Sequence, residues 1–161
     1  MSTFDQILLL AKSSCAHGDC IVDENTTPKG IKIDRDDLMS VMICLLNDPT
    51  AYFDMLSCVT GVDNGPEANT IDIIYNMYSI PFDHHLMVKV TVPRDKPEVQ
   101  SVCSIWRTAN WHEREIFDLF GVQFLNHPDL RRILLPADWE GHPLRKDYKH
   151  QDYYRNVKVA Y

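Results

Sequence analysis

The residues best suited to chemistry cluster between Trp106 and Tyr148. His112, Glu113 and Glu115 put an imidazole beside two carboxylates, the raw material of a metal site or a general acid–base pair. Neither pattern is met. A zinc-binding helix presents two histidines on one face and recruits a third ligand, whereas this stretch holds one histidine. Glu113 and Glu115 stand two positions apart, so on a helix they point in different directions and do not work as a pair. The spacing instead predicts that Glu113 caps a helix and that Arg114, Glu115 and Asp118 form ion pairs, with Arg114 and Asp118 four apart on one helical face. Arg131-Arg132 and Arg145-Lys146 could bind phosphate, nucleic acid or anionic lipid headgroups. The interleaved Asp129, Asp138, Glu140 and Asp147 dilute their field, and the planar guanidinium fork suits carboxylates across a protein interface better.

The other reactive side chains are scattered. His84-His85 and His142 are isolated histidines, and a nucleophile–base site would need a Ser or Cys close to one of them in space. There is no Gly-x-Ser-x-Gly elbow, no dinucleotide-binding glycine loop and no phosphate-cradling Walker loop. The cysteines, Cys15, Cys20, Cys44, Cys58 and Cys103, are odd in number. Cys15 and Cys20 could clip a metal, but an iron–sulfur cluster needs about four closely spaced thiolates. Free thiols acting as small hydrophobes in a reducing compartment are the expectation. No catalytic, cofactor-binding or metal-ligating residue is predicted.

These residues sit in a chain of 161 residues with net charge −7, one domain's worth of sequence. Residues 1–125 carry a net −9 and residues 126–161 a net +2, an acidic body with a mildly basic tail. A nucleic-acid-binding domain usually carries a basic face, so no nucleic-acid partner is expected. No apolar run reaches the roughly 18–20 residues that cross a bilayer. The first residues lack the basic, apolar plan of a signal peptide, so the chain is expected in the cytoplasm.

The elements that must position the cluster follow from periodicity. Phe4, Ile7, Leu8 and Ala11 mark a helix over 3–13. Short extended pieces are expected at 20–23 and 30–33, then a helix from an Asp34 cap to Asn47, with Leu38, Val41, Met42 and Leu45 buried and Asp48-Pro49 as its stop. Three strands are expected at 52–62, 70–79 and 85–92; in the second, Ile71, Ile73, Tyr75 and Met77 share a face, and in the third Leu86, Val88, Val90 and Val92 do. Short loops make them antiparallel hairpins. Val99, Val102, Cys103 and Trp106 predict a helix over 97–107. A second helix should be capped by Asn110 with Glu113 in a capping-box position, bury Ile116, Leu119 and Phe120, and end at Gly121. The order α-β-β-α-β-β-β predicts a two-layer α+β fold, a mostly antiparallel or mixed sheet of about five strands with helices on one face, followed by two short helices. Residues 1–125 would form the globular domain. Residues 126–161 hold three prolines and many aromatic and aliphatic groups without periodicity, which predicts an extended C-terminal tail lying across something larger. Removing it should leave a folded domain unable to assemble.

Three segments here occur in one order: Glu113-Arg114-Glu115 running on to Asp118-Leu119-Phe120-Gly121, then His127-Pro128-Asp129-Leu130-Arg131-Arg132-Ile133, then Trp139-Glu140-Gly141-His142-Pro143-Leu144-Arg145-Lys146-Asp147-Tyr148. Their sequence and gaps closely resemble the signature region of the C subunit, the "30-kilodalton" family, of complex-I-type NADH:quinone oxidoreductases. The resemblance covers about 40 residues; the N-terminal 100 residues match in length and layout, and His112 stands where the family more often has an apolar or aromatic residue.

The resemblance implies a non-catalytic member of the peripheral arm, in the quinone module of a proton-pumping complex on the cytoplasmic side of the inner membrane. It implies no cofactor in this chain, with FMN and iron–sulfur clusters held by partner subunits. It also implies that the tail wraps the quinone-site subunit. The motif residues Glu113, Arg114, Glu115, Asp118, His127, Pro128, Arg131, Arg132, Trp139, His142, Pro143, Arg145, Lys146, Asp147 and Tyr148 become interface or structural candidates. The same subunit type serves related hydrogenases and deazaflavin-linked or photosynthetic dehydrogenases, and an independent small ligand-binding domain or enzyme is the reading from another class.

Overall fold

The computed structural model describes residues 3–24 and 26–159. Helix α1 (Thr3–Ser14) carries Asp5 in its first turn and Lys12 in its last, charges that suit the helix dipole. It buries Ile7 and Ala11, with Phe4 and Leu8 packed beside them. Strands β1 (Ile21–Asp23) and β2 (Gly30–Ile33) form an antiparallel hairpin. Asp34 caps as predicted, its carboxylate accepting the Asp36 N–H at 2.9 Å, but it caps a single 3-10 turn, Arg35–Asp37, before helix α2 (Leu38–Asn47) begins. The buried Asp37 carboxylate explains the break. It faces back to the loop after α1 and accepts the backbone N–H groups of Ala16, His17 and Gly18 at 2.8–3.1 Å.

Strands β3 (Met55–Gly65), β4 (Thr70–Ser79) and β5 (His84–Pro93) form a meander. The alternation resolves as predicted: Ile71, Ile73, Tyr75 and Met77 of β4 and Leu86, Val88, Val90 and Val92 of β5 are all buried. Each such side chain removed from water contributes roughly 1.5–3 kcal/mol. The sheet order is β1-β2-β5-β4-β3, with β2 parallel to β5 and every other pairing antiparallel. This is the expected two-layer α+β architecture, a mixed five-stranded sheet with its helices on one face. Gly61 of β3 marks where helix α3 (Ala109–Phe120) crosses the sheet. A Cβ there would stand 2.9 Å from the Phe120 ring and 3.2 Å from Ile116, so only glycine lets the two backbones approach this closely.

Two expectations fail on the C-terminal side of the sheet. Residues 97–107 are not helical. Glu98–Gln100 is strand β6, paired in parallel with β7 (Gln123–Leu125), and turns follow to α3. One helix therefore succeeds the sheet, not two. Nor does Asn110 cap α3: the helix starts at Ala109 and its N-cap is Thr108, without a side-chain cap. Gly121 ends α3 as predicted, in the left-handed region at φ 76° with its N–H on the Phe117 carbonyl at 2.9 Å.

Regular structure stops at Leu125 until a small hairpin of β8 (Tyr153–Tyr154) and β9 (Val157–Lys158). Residues 126–148 nevertheless lie against the body, held by the contacts described next.

Candidate functional site

An irregular segment packed on a folded body has backbone N–H and C=O groups with no ladder to join, so side chains must satisfy them. The motif residues do so at three places. In the first, Asp118 points inward from α3 and is fully buried. It accepts the N–H groups of Ile133, Leu134 and Leu135 at 3.0, 2.8 and 2.9 Å, and Arg132 Nη1 at 2.7 Å. Burial alone would raise its pKa, but the three N–H groups and the Arg132 guanidinium hold it below the usual carboxylate range. Arg132 also donates to the carbonyls of Asp118, Trp139 and Gly141 at 2.9–3.0 Å, bending residues 132–141 into a loop around its side chain.

In the second, Arg94, just past β5, lies between two carboxylates. It grips Asp63 of β3 at 2.8 and 3.1 Å and pairs with Asp147 of the tail. Asp63 also accepts the Lys146 N–H at 2.7 Å. Burial works against the charge on Asp63, yet the Arg94 contact and the Lys146 and Gly65 N–H groups keep its pKa low. Between these two anchors the tail crosses the C-terminal end of α3. Leu144 N–H donates to the Leu119 carbonyl at 3.1 Å, Arg145 Nε to the Phe120 carbonyl at 2.7 Å and His142 Nδ1 to the Asp118 carbonyl at 2.9 Å. These carbonyls are the ones a helix end leaves unpaired. Burial pushes both His142 and Arg145 down in pKa.

In the third, Glu113 is fully buried and accepts Ser101 Oγ at 2.6 Å, the Val102 N–H at 2.8 Å and Cys103 Sγ at 3.3 Å. Burial pushes its carboxyl up. It does not cap α3; it ties the helix to the segment after β6. Cys103, Glu113 and His127 bring a thiol, a carboxylate and an imidazole within 4.8 Å of one another, close enough by distance to cage a cation. The histidine's tautomer argues otherwise. The Asp129 N–H donates to His127 Nδ1 at 3.0 Å, so the ring proton sits on Nε2, which donates to the Asn110 carbonyl at 3.3 Å. The nitrogen nearer the carboxylate therefore carries a proton and stands 3.9 Å from it, beyond hydrogen-bond reach, while Cys103 and Glu113 share their own hydrogen bond. The nearby Tyr75 hydroxyl is fully buried, with no hydrogen-bond partner among the described residues.

The remaining candidates divide. Arg114 does not pair with Asp118 along the helix. It donates to the carbonyls of Arg131 and Arg132 at 3.1 and 3.3 Å and lies 5.4 Å from the Trp111 ring. Trp139 Nε1 donates to Tyr148 Oη at 3.1 Å, closing the 139–148 loop, in which Pro143 is half-buried. Glu115 and Pro128 are exposed, and Arg131 pairs at the surface with Asp129 at 2.9 Å. Sequence reasoning missed Asp63, Arg94, Asp37 and Ser101. Asp63 lies near the end of β3 and Arg94 just past β5, and a charge at a core-facing register is the signal that could have found them. The arrangement fastens a tail rather than converging on a reacting atom: the buried carboxylates are each occupied by donors of the chain itself.

The tail also presents what it does not bury. Leu134, Leu144, Tyr153 and Val157 are exposed by 62, 51, 62 and 64%, and Trp111 of α3 by 64%. No helix of the described residues is long and apolar enough to cross a membrane.

Residues 31–154 match the family described as respiratory-chain NADH dehydrogenase, 30 Kd subunit. The C subunit of NADH-quinone oxidoreductase from Chlorobium phaeobacteroides is 43% identical over 141 residues, 86% of this chain and 84% of that one. Its namesake from Chloroherpeton thalassium is 43% identical over 123 residues, 76% of this chain, a match that takes in 50% of that longer relative. Among solved structures, one of the membrane-bound sulfane sulfur reductase, an archaeal respiratory membrane complex, has a chain that superposes with TM-score 0.73 at 21% identity, over 92% of this chain and 86% of that one. At that identity the likeness is one of fold.

Proposed function

Since this chain belongs to the family of respiratory-chain NADH dehydrogenase 30 Kd subunits, we propose that it is the 30-kilodalton member of an NADH-quinone oxidoreductase and works there as a structural part of the peripheral arm, in the module that delivers electrons to quinone. It braces the quinone-site subunit and the cluster-bearing subunits, so that electron-transfer distances and the quinone cavity stay fixed while the complex pumps protons. FMN and the iron–sulfur clusters belong to the partners, and this chain supplies no catalytic residue. It sits on the cytoplasmic side of the inner membrane and meets the membrane only through its partners.

One observation carries the reading. The tail is fastened from below by buried charges, while its outer side and Trp111 display large apolar groups. Exposed apolar groups of this size are area that a covering partner would take from water. The charged motif residues set the shape of the tail, and the apolar ones meet the partner. A tagged copy expressed in cells that make the complex should co-purify from detergent-solubilised membranes with NADH:quinone activity. Recovery of the chain solely as a free monomer from such cells would overturn the proposal.

A further inference from the structure

The loop that joins α1 to β1 places two cysteines together. Cys15 follows the last residue of α1, and its Sγ donates to the Ala11 carbonyl at 3.3 Å. Cys20 precedes β1 and is 6% exposed. The four residues between them do not span a gap. Asp37 collects the N–H groups of Ala16, His17 and Gly18 together with His17 Nδ1, and this folds the loop back until each thiol lies close enough to shift the other's titration. Both line one surface cavity of about 550 Å³, with Lys12, Gly18 and Asp19 beside them. The other cysteines have different neighbours: Cys58 accepts from Asn76 and Cys103 donates to Glu113.

We infer that Cys15 and Cys20 are a reversible dithiol–disulfide site, oxidised by a small-molecule disulfide of the glutathione class entering from this cavity. The half-buried Cys15 reacts first. Its thiolate attacks one sulfur of the oxidant, forms a mixed disulfide and expels one thiolate, which takes up the proton Cys15 has lost. The Cys20 thiolate then attacks the Cys15 sulfur and expels the second thiolate, which takes up the proton from Cys20. Two electrons pass from the cysteine pair to the oxidant, and two thiols leave. The bond staples the end of α1 to the start of β1 across a loop that Asp37 already holds in a closed shape. Thiolate is the attacking species. Burial, together with Asp37, Asp19 and Asp34, pushes the Cys15 thiol up, and burial pushes Cys20 up to about 11. The site therefore reacts slowly at neutral pH and faster in alkali.

The test is to incubate the full, reduced chain with oxidised glutathione at mildly alkaline pH, alkylate the remaining thiols and map the tryptic peptides without reduction. Cys15 and Cys20 share the peptide 13–29. The expected result is that this peptide becomes two hydrogens lighter while Cys44, Cys58 and Cys103 are alkylated. Cys15→Ser and Cys20→Ser should each abolish the lighter form, and circular dichroism on each variant reports whether it remains folded. Three results would overturn the inference even from the unmutated chain: alkylation of all five cysteines, glutathione left on Cys15 with Cys20 alkylated, or a first disulfide that joins any other pair.

Discussion

Asp118 and Arg132 meet at 2.7 Å, the carboxylate fully buried and the guanidinium nearly so, and between them they satisfy backbone groups of six tail and helix residues. The pair is the hinge pin on which the tail turns back onto α3. Asp118→Asn keeps the shape but gives up the charge, and its amide nitrogen meets donors. Breaking one side of a buried ion pair costs about 3–5 kcal/mol. Urea denaturation should show a loss of that order, and limited proteolysis should cut first between residues 126 and 148. A variant as stable as the parent would show that the pair does not hold the tail.

Truncation separates the two parts of the tail. A chain ending at Tyr148 loses the exposed Asp138–Arg155 ion pair and the small hairpin. Exposed pairs are worth about 0–1 kcal/mol, so its unfolding free energy should stay within about that range of the full chain. A chain ending at Leu125 strips Asp118 of its partners and takes Lys146 from Asp63 and Asp147 from Arg94, and it should lose several kcal/mol or fail to fold. Equal stability of the two truncations would place the fold's end at Leu125, as the composition of the tail alone suggests.

Asp37 sets an acid limit on the fold. Burial opposes its charge, but the N–H groups of Ala16, His17 and Gly18 and the His17 ring outweigh it and lower the pKa to about 2, against about 3.9 for an unperturbed aspartate. A depressed folded-state value means that the stabilisation is complete above the unfolded pKa and drains away as pH falls through the folded one. Stability measured by urea titration should therefore fall between about pH 4 and pH 2, and Asp37→Asn should flatten that fall. An unchanged slope in the variant would remove Asp37 from the account.

Tyr75 tests the core under the Glu113 network. Its hydroxyl is buried with no hydrogen-bond partner among the described residues, and leaving such a group unmet costs about 1–3 kcal/mol. Tyr75→Phe should then be neutral or more stable, read as the midpoint of thermal unfolding. A loss of more than about 1 kcal/mol would reveal a partner for the hydroxyl.

What the sequence discloses depends on whether the signal is local. Strand β4 and the buried faces of β4 and β5 are readable from alternation, because each residue's neighbour across the ladder enforces the same two-residue period. Val99, Val102, Cys103 and Trp106 fit a helical period equally well, and the strand wins there because β6 pairs with β7, more than twenty residues downstream. Glu113 stands three residues after Asn110, which imitates a capping box. Helix α3 starts earlier than that pattern implies, so Glu113 turns inward to Ser101 and Val102 instead. The inward charges of α3 become intelligible once the tail is seen beside them. An unpatterned segment rich in proline cannot pair its own backbone, and Arg114 and Asp118 are placed to do it.

The sheet order carries a consequence for how the chain acquires its shape. Strands β3, β4 and β5 can zip together through two short hairpins, each closing on neighbours in sequence. The β1–β2 hairpin, although earlier in the chain, can join only after β5 exists, because β2 pairs with β5 across α2 and the whole meander. Distant pairings of this kind slow folding. If the meander forms first, as its local pairings predict, substitutions in β4 should slow refolding more than substitutions in β1.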